Sequence, residues 1–304
     1  MGLLGLFVDS KSVSKQNIQK IEQVADVCDA ECAECESATD TAELEKSEGV
    51  FGKLKVEQDF PLFGSGKTAK IHFVVPTSQN DWAHDACNEK KGSVQQKVSE
   101  WIEKNQSKYP GGEGESMKCN VSSLPIDIMD IEAMRGAKSD VLVLPHFLTI
   151  KGLKSSDVDA QLRVLVPLLI DNKRNELLAM DNIEEAKENS FVFLCSHRTR
   201  DKRCGITAPI LQRTFFNELQ KHGLYRDVAD FRHGGCNVAF VNHVGGHKFV
   251  ANVILYLKQS HSLIWLARVT PRNVPAIVNL MVVPENPQLP WPEKVRCVQK
   301  YTAW

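Results

Sequence analysis

Apolar and polar positions fall into blocks along the 304-residue chain, and the blocks predict alternating strands and helices. Lys70–Val75 alternates toward an apolar run and predicts a strand. Val94, Val98, Trp101 and Ile102 recur at helical spacing and predict a helix over Ser93–Lys108. Tyr109-Pro-Gly-Gly-Glu-Gly-Glu reads as a loop. Asp140–Leu144 reads as a strand closed by Pro145, and Val158–Ile170 as a helix. The charged stretch 175–189 bridges to a second series: strand 191–194, loop 195–204, helix 205–222, strand 238–241, loop 243–247, strands 251–257 and 262–269, and helix 273–280. Pro271 suits the entry of that last helix.

Strand, helix and strand followed by an antiparallel pair and a helix is the order of a thioredoxin-like domain. The expected class is therefore α/β, with a thioredoxin-like unit over residues 186–304. A first α/β unit covers 51–185, and an acidic segment with cysteines covers 1–50. Phe73-Val-Val-Pro76, a loop to Cys87 and a helix parallel the strand at Phe193 and the helix after it, so the first unit reads as a degenerate copy of the second.

Hydrophobic residues make up 42% of the chain and charged residues 25%, ordinary for a globular protein. No apolar run approaches the roughly 20 residues of a membrane span. The start, Met-Gly-Leu-Leu-Gly-Leu-Phe-Val-Asp9, lacks the basic region of a secretory signal, and Leu6 breaks a myristoylation motif. Nine cysteines without such a signal favour metal or redox use over a disulfide framework, and a cytoplasmic location, with the nucleus as second choice. The net charge of −1 hides an asymmetry: residues 190–304 are basic and the rest is acidic. The basic residues are scattered, with no basic helix or aromatic-interleaved stripe, so neither nucleic acid nor membrane is an expected partner.

The candidate chemistry lies at two strand ends. Cys195-Ser-His-Arg-Thr-Arg-Asp-Lys-Arg-Cys204 follows Phe191–Leu194, and His243-Val-Gly-Gly-His247 follows Val238–Val241. Ligands at the ends of neighbouring buried strands converge on one point. Two cysteines and two histidines fit a structural zinc or a [2Fe–2S] cluster of mixed ligation. Gly245 and Gly246 let a His-x3-His pair turn sharply through positive φ. His197, Arg198, Arg200 and Arg203 are placed around such a centre as hydrogen-bond donors or partner contacts, with Asp201 pairing with an arginine. Cys236 fits core packing at a strand start. Cys28, Cys32 and Cys35 form a further thiol cluster, a redox dithiol or a second metal site, with Cys87 or Cys119 as a fourth ligand in the latter case. Gly64-Ser-Gly-Lys-Thr68 resembles the end of a phosphate-binding loop, but Pro61 stands where that loop needs glycine, so nucleotide hydrolysis is excluded.

Cys-x8-Cys followed by His-x-Gly-Gly-His resembles the fungal actin-patches-distal family, also called sucrase/ferredoxin-like proteins. The likeness is strongest over 190–257, including Arg200–Gly205 and Gly245–Phe249, and extends to Asp81-Trp-Ala-His-Asp-Ala-Cys87. It implies a thioredoxin-like ferredoxin domain. Its cofactor would be one Rieske-like [2Fe–2S] cluster, ligated by Cys195, Cys204, His243 and His247 and coupled to protons through the imidazoles. It further implies an electron carrier in redox homeostasis, rather than a substrate-converting enzyme, fed by a flavin-type reductase. A C-terminal Trp304 would serve as a signal to the cytosolic iron–sulfur targeting machinery. The rival expectations are a zinc-stabilised interaction or scaffold protein linked to actin organisation, and a thiol oxidoreductase using Cys28, Cys32 and Cys35.

Overall fold

The computed structural model describes residues 13–28, 42–109, 115–227, 230, 232–246 and 249–302. Two short strands, β1 (Asp26–Val27) and β11 (Gln288–Leu289), pair in parallel apart from the rest. The first half of the main sheet holds β2 (Ala69–Pro76), β3 (Glu115–Ser122), β4 (Lys138–Leu144), β5 (Leu148–Lys154) and β6 (Ile183–Glu185). The second holds β7 (Ser190–Cys195), β8 (Cys236–Val241), β9 (Val253–Leu257), β10 (Ser262–Leu266) and β12 (Val295–Lys300). Together they form one sheet in the order β12-β10-β9-β7-β8-β3-β2-β4-β5-β6. The fold is mixed α/β with a large, mostly antiparallel sheet, consistent with the thioredoxin-like class.

The two halves repeat one plan. In the first, β3 runs parallel to β2, β4 antiparallel to β2, and β5 antiparallel to β4. In the second, β8 runs parallel to β7, β9 antiparallel to β7, and β10 antiparallel to β9. The halves meet antiparallel where Ser122 faces Val241. Within its own half Ser122 faces Pro76, and Val241 faces Cys195, so like positions meet at the seam. The flanking backbone bonds repeat as well. Thr77 N–H donates to Ser122 O and Ser196 N–H to Val241 O, while Ser123 N–H donates to Phe240 O and Asn242 N–H to Val121 O.

The sheet is folded at this seam. Four strand-to-strand steps separate β2 from β9, about 19 Å in a flat sheet. Yet His72 Nδ1 lies 2.8 Å from the Tyr256 hydroxyl. The Phe147 and Phe191 rings are likewise 5.8 Å apart across the fold. The helix-free faces therefore close on each other, with Val74, Leu142 and Leu144 from one half against Phe193, Ile254 and Trp265 from the other. The outer faces are covered by the helices Val94–Asn105, Val158–Ile170 and Lys202–Lys221 and by the one-turn helices spanning Pro271–Val282. Val94, Val98, Trp101 and Ile102 are all buried, as their spacing predicts, and Ser93 caps their helix by accepting from Gln96 N–H. Among the described residues no helix is long and apolar enough to cross a membrane.

Some predicted boundaries need correction. The helix expected over 205–222 begins at Lys202, because Asp201 caps it, so Cys204 sits in its first turn rather than in a loop. The predicted helix 273–280 is a chain of 3-10, α and π turns from Pro271 to Val282. The charged bridge 175–189 contains the helix Arg174–Leu178 and strand β6.

Candidate functional site

Cys195, Cys204 and His243 come together at the C-terminal end of the parallel pair β7 and β8. Cys195 ends β7, fixed by its N–H bond to Asn252 O. Cys204 reaches it from the first turn of the following helix, and the Cys204 thiol hydrogen-bonds to the Cys195 sulfur. His243 follows β8, with its Nδ1 4.0 Å from Cys195 Sγ. Both cysteines are buried, and His243 is half-exposed. The bond from Cys204, and then His243, holds the Cys195 thiol well below its ordinary range despite burial. Cys204 is pushed up by the same contact. These three are the described residues of the motif that could donate to a metal or cluster. His247, the fourth predicted ligand, lies outside the described residues, as do Cys32, Cys35 and Trp304. Cys28 is half-buried beside β1, its N–H bonded to Leu289 O, and Cys236 is buried at the start of β8.

The seam shows why the matching place in the first half holds no such cluster among the described residues. Pro76 occupies in the first half the place of Cys195 in the second, and Leu124 the place of His243. Neither offers a donor side chain.

His197 clamps the loop from within. Its Nδ1 accepts from the His243 N–H at 3.1 Å, so its Nε2 carries the proton, shared between Trp82 O and Ala83 O at 3.0 Å each. Burial lowers its pKa, partly offset by those carbonyls, and the ring stays neutral near neutral pH. Both nitrogens are thereby used. The rest of the 195–204 loop grips the same stretch. Ser196 Oγ donates to Asn80 O, Thr199 donates twice to the Asp81 carboxylate, and Arg200 Nε donates to His84 O. Burial raises the Asp81 pKa, but the Thr199 bonds outweigh it and the carboxyl stays below its usual range. The Asp81–Cys87 segment singled out in the sequence is thus the surface on which the cysteine loop rests. Arg198 is exposed, and its Cβ leaves no room for a side chain at Gly205.

Asp201 joins loop to helix. It accepts from the Arg203 backbone N–H at 2.9 Å and holds the Arg203 guanidinium through two further bonds of 3.0 and 2.8 Å. Asp201→Ala removes the cap and this fork together, and is expected to lower stability by about 1–2 kcal/mol. Urea unfolding of the variant against the parent measures the loss.

The sequence reading missed Arg296, on β12. It is 1% exposed, and its acceptors among the described residues are neutral: Ser65 Oγ at 3.1 Å, Ser65 O at 2.8 Å, Gly245 O at 3.0 Å and Asn252 Oδ1 at 2.7 Å. Its guanidinium lies 4.4 Å from the centre of the Trp265 ring. Burial lowers its pKa to about 10, leaving it charged at neutral pH. The glycine motif gains its physical reason here. A Cβ on Gly246, which has φ of +72°, would stand 2.7 Å from Arg296 Nη2. Gly64-Ser-Gly66, rejected above as a phosphate loop, wraps the same arginine: Gly64 N–H donates to Arg296 O, and a Cβ on Gly66 would stand 2.9 Å from Cys297 Sγ.

A protein of Saccharomyces cerevisiae named actin patches distal protein 1 is 57% identical over 266 residues, 86% of this chain and 84% of the relative. Proteins named altered inheritance of mitochondria protein 32 match shorter stretches. The one from Debaryomyces hansenii is 34% identical over 108 residues, 35% of this chain and 36% of its own. The one from Clavispora lusitaniae is 36% identical over 92 residues, 30% of each. No solved structure matches at comparable significance.

These findings overturn the expectation of a [2Fe–2S] electron carrier. The relative that spans most of the chain carries an actin-patch name, and none of these names speaks of an iron–sulfur cluster or electron transfer. Among the described residues no group of three or more His, Cys, Asp and Glu forms that could hold a metal ion. The sucrase/ferredoxin-like profile matches residues 62–297, and the chain belongs to the sucrase/ferredoxin-like family.

Proposed function

We propose that this chain is a cytoplasmic interaction protein in the organisation of actin patches, built from two thioredoxin-like units joined edge to edge. The observation that carries the role is the 57% identity, over 84% of its length, to a relative named actin patches distal protein 1. Identity of that extent reaches across both halves and the seam, so it includes the surfaces through which such a protein would act. The charge asymmetry supports the reading. Residues 190–304 carry an excess of basic over acidic side chains and residues 1–189 the reverse, a polarity along the chain that suits partners of opposite sign. The repeated strand order supports the two-unit architecture. His197 and Arg296 tie the site loops to the first half and to the 64–66 turn, and so offer a partner one rigid surface.

The test is replacement. In S. cerevisiae, the coding sequence of the relative is exchanged for that of this chain, and actin patches are stained with phalloidin. The expected result is a patch distribution matching that of the unmodified strain and distinct from a deletion strain. A distribution equal to the deletion, with the protein present at normal levels, overturns the proposal.

A further inference from the structure

Outside the site already described, the first half holds a second pair of thiols. Cys119 stands on β3, and Cys87 lies in the segment between β2 and the helix Val94–Asn105. Cys87 Sγ is 3.7 Å from Cys119 O, and the two thiols hydrogen-bond to each other. Cys119 Sγ also approaches Gln95 O at 3.9 Å. The two differ in access. Cys87 is buried, whereas Cys119 is half-buried and lines a cavity of about 340 Å³. The cavity exists because β3 and β8 pair only at Ser122 and Val241, which leaves the earlier part of β3 without a neighbour on that side. Lys67, His72, Lys118 and His243 share its wall with Cys119.

We propose that Cys87 and Cys119 are a dithiol modification site that closes to an intramolecular disulfide by exchange with a small-molecule disulfide of the glutathione type. An accessible sulfur that reacts first and a buried neighbour that resolves it are the two parts this exchange needs. Cys119 loses its proton to solvent, and its thiolate attacks one sulfur of glutathione disulfide. The S–S bond of glutathione breaks, and one glutathione leaves as thiolate and takes up a proton. Cys87, deprotonated in turn, attacks Cys119 Sγ and expels the second glutathione. The protein dithiol loses two electrons and two protons, and the glutathione disulfide gains both. The hydrogen bond to Cys87 raises the Cys119 pKa, so the first attack quickens as pH rises.

The cavity supplies the route by which the oxidant arrives, and its two lysines offer a cationic rim to the carboxylates of glutathione. Among the described residues, the Cys195 and Cys204 thiols are both buried.

The experiment uses the full-length protein in glutathione buffers from fully reduced to fully oxidised, quenched by alkylation and mapped by peptide mass spectrometry. A linked peptide pair containing Cys87 and Cys119, reversed by dithiothreitol, is expected to grow with the oxidised fraction. In Cys87→Ser the link should vanish and a glutathione adduct should accumulate on Cys119. Both cysteines remaining open to alkylation in the most oxidised buffer overturns the proposal, as does Cys119 linked to another cysteine. A folded Cys87→Ser variant, checked by circular dichroism, that collects no adduct on Cys119 also overturns it.

Discussion

Arg296→Ala is expected to destabilise the protein by about 3–5 kcal/mol, the largest loss from any single substitution around the site. Three effects add. Ser65 O and Gly245 O lose a charged donor inside the protein, at about 1–3 kcal/mol for each acceptor left unsatisfied. The guanidinium leaves the Trp265 face, and the side-chain volume becomes a cavity beside Phe249. Against these stands relief from burying a cation among neutral oxygens, which keeps the sum from being larger. Asn252 Oδ1 keeps its bond from Trp265 Nε1, so that amide is not orphaned. Arg296→Lys retains the charge but not the fork that serves Ser65 and Gly245 together, and should fall between parent and alanine. Urea unfolding followed by tryptophan fluorescence reads all three proteins. A loss under about 1 kcal/mol for the alanine variant would show that the network holds nothing in place.

Acid is expected to unfold the protein through its buried histidines. His72 accepts from the Tyr256 hydroxyl at Nδ1 and donates from Nε2 to Asn120 Oδ1, so the folded state has no place for a second proton. Burial, helped by the nearby Lys118, lowers its pKa from 6.5 to about 3. Burial likewise lowers His146 to about 4. Above pH 6.5 both rings are neutral in either state and pH has no effect through them. As pH falls through the window from 6.5 to about 3, the unfolded chain binds a proton at His72 that the folded chain refuses. Stability then falls by up to about 1.4 kcal/mol per pH unit for this group, or about 4–5 kcal/mol across the window. His72→Gln keeps one acceptor and one donor without the titration. Its plot of unfolding free energy against pH should be flatter between pH 6 and 4 by about 1 kcal/mol per unit. Parallel plots for variant and parent would remove His72 from the account.

What could be read in the sequence divides by how each residue is buried. Strands apolar on both faces were legible: Phe191–Leu194 and Val238–Val241 lie within β7 and β8. The helix Val158–Ile170 was legible from its period. Strand β3 was not, because Met117, Cys119 and Val121 alternate with Lys118, Asn120 and Ser122, which face the fold between the halves and its hydrogen bonds. Strand β5 is interrupted by Gly152 and opposes an irregular register in β4. Strand β12 carries Arg296 at a buried position, where pattern reading expects an apolar residue. The same contrast holds in the site. Cysteines and histidines declare themselves by type and spacing, whereas an arginine from a distant strand is indistinguishable from a surface charge until its neighbours are known. Only the glycines hinted at it, since Gly66 and Gly246 stand where a side chain would collide with β12.

The meeting of Ser122 with Val241 has a consequence for how such a molecule comes together. Equivalent strands pairing antiparallel through equivalent residues are the arrangement of a two-fold symmetric dimer, here carried on one chain. Two separate copies would find each other only at sufficient concentration, and each would expose a bare strand edge and an apolar sheet face while alone. A covalent connection turns that encounter into an intramolecular step whose effective concentration is independent of how much protein the cell makes. It also frees the copies to diverge. Once assembly no longer required both partners to be identical, one could keep cysteine and histidine at the seam while the other settled on Pro76 and Leu124, so that equivalent places on a pseudo-symmetric frame carry different chemistry.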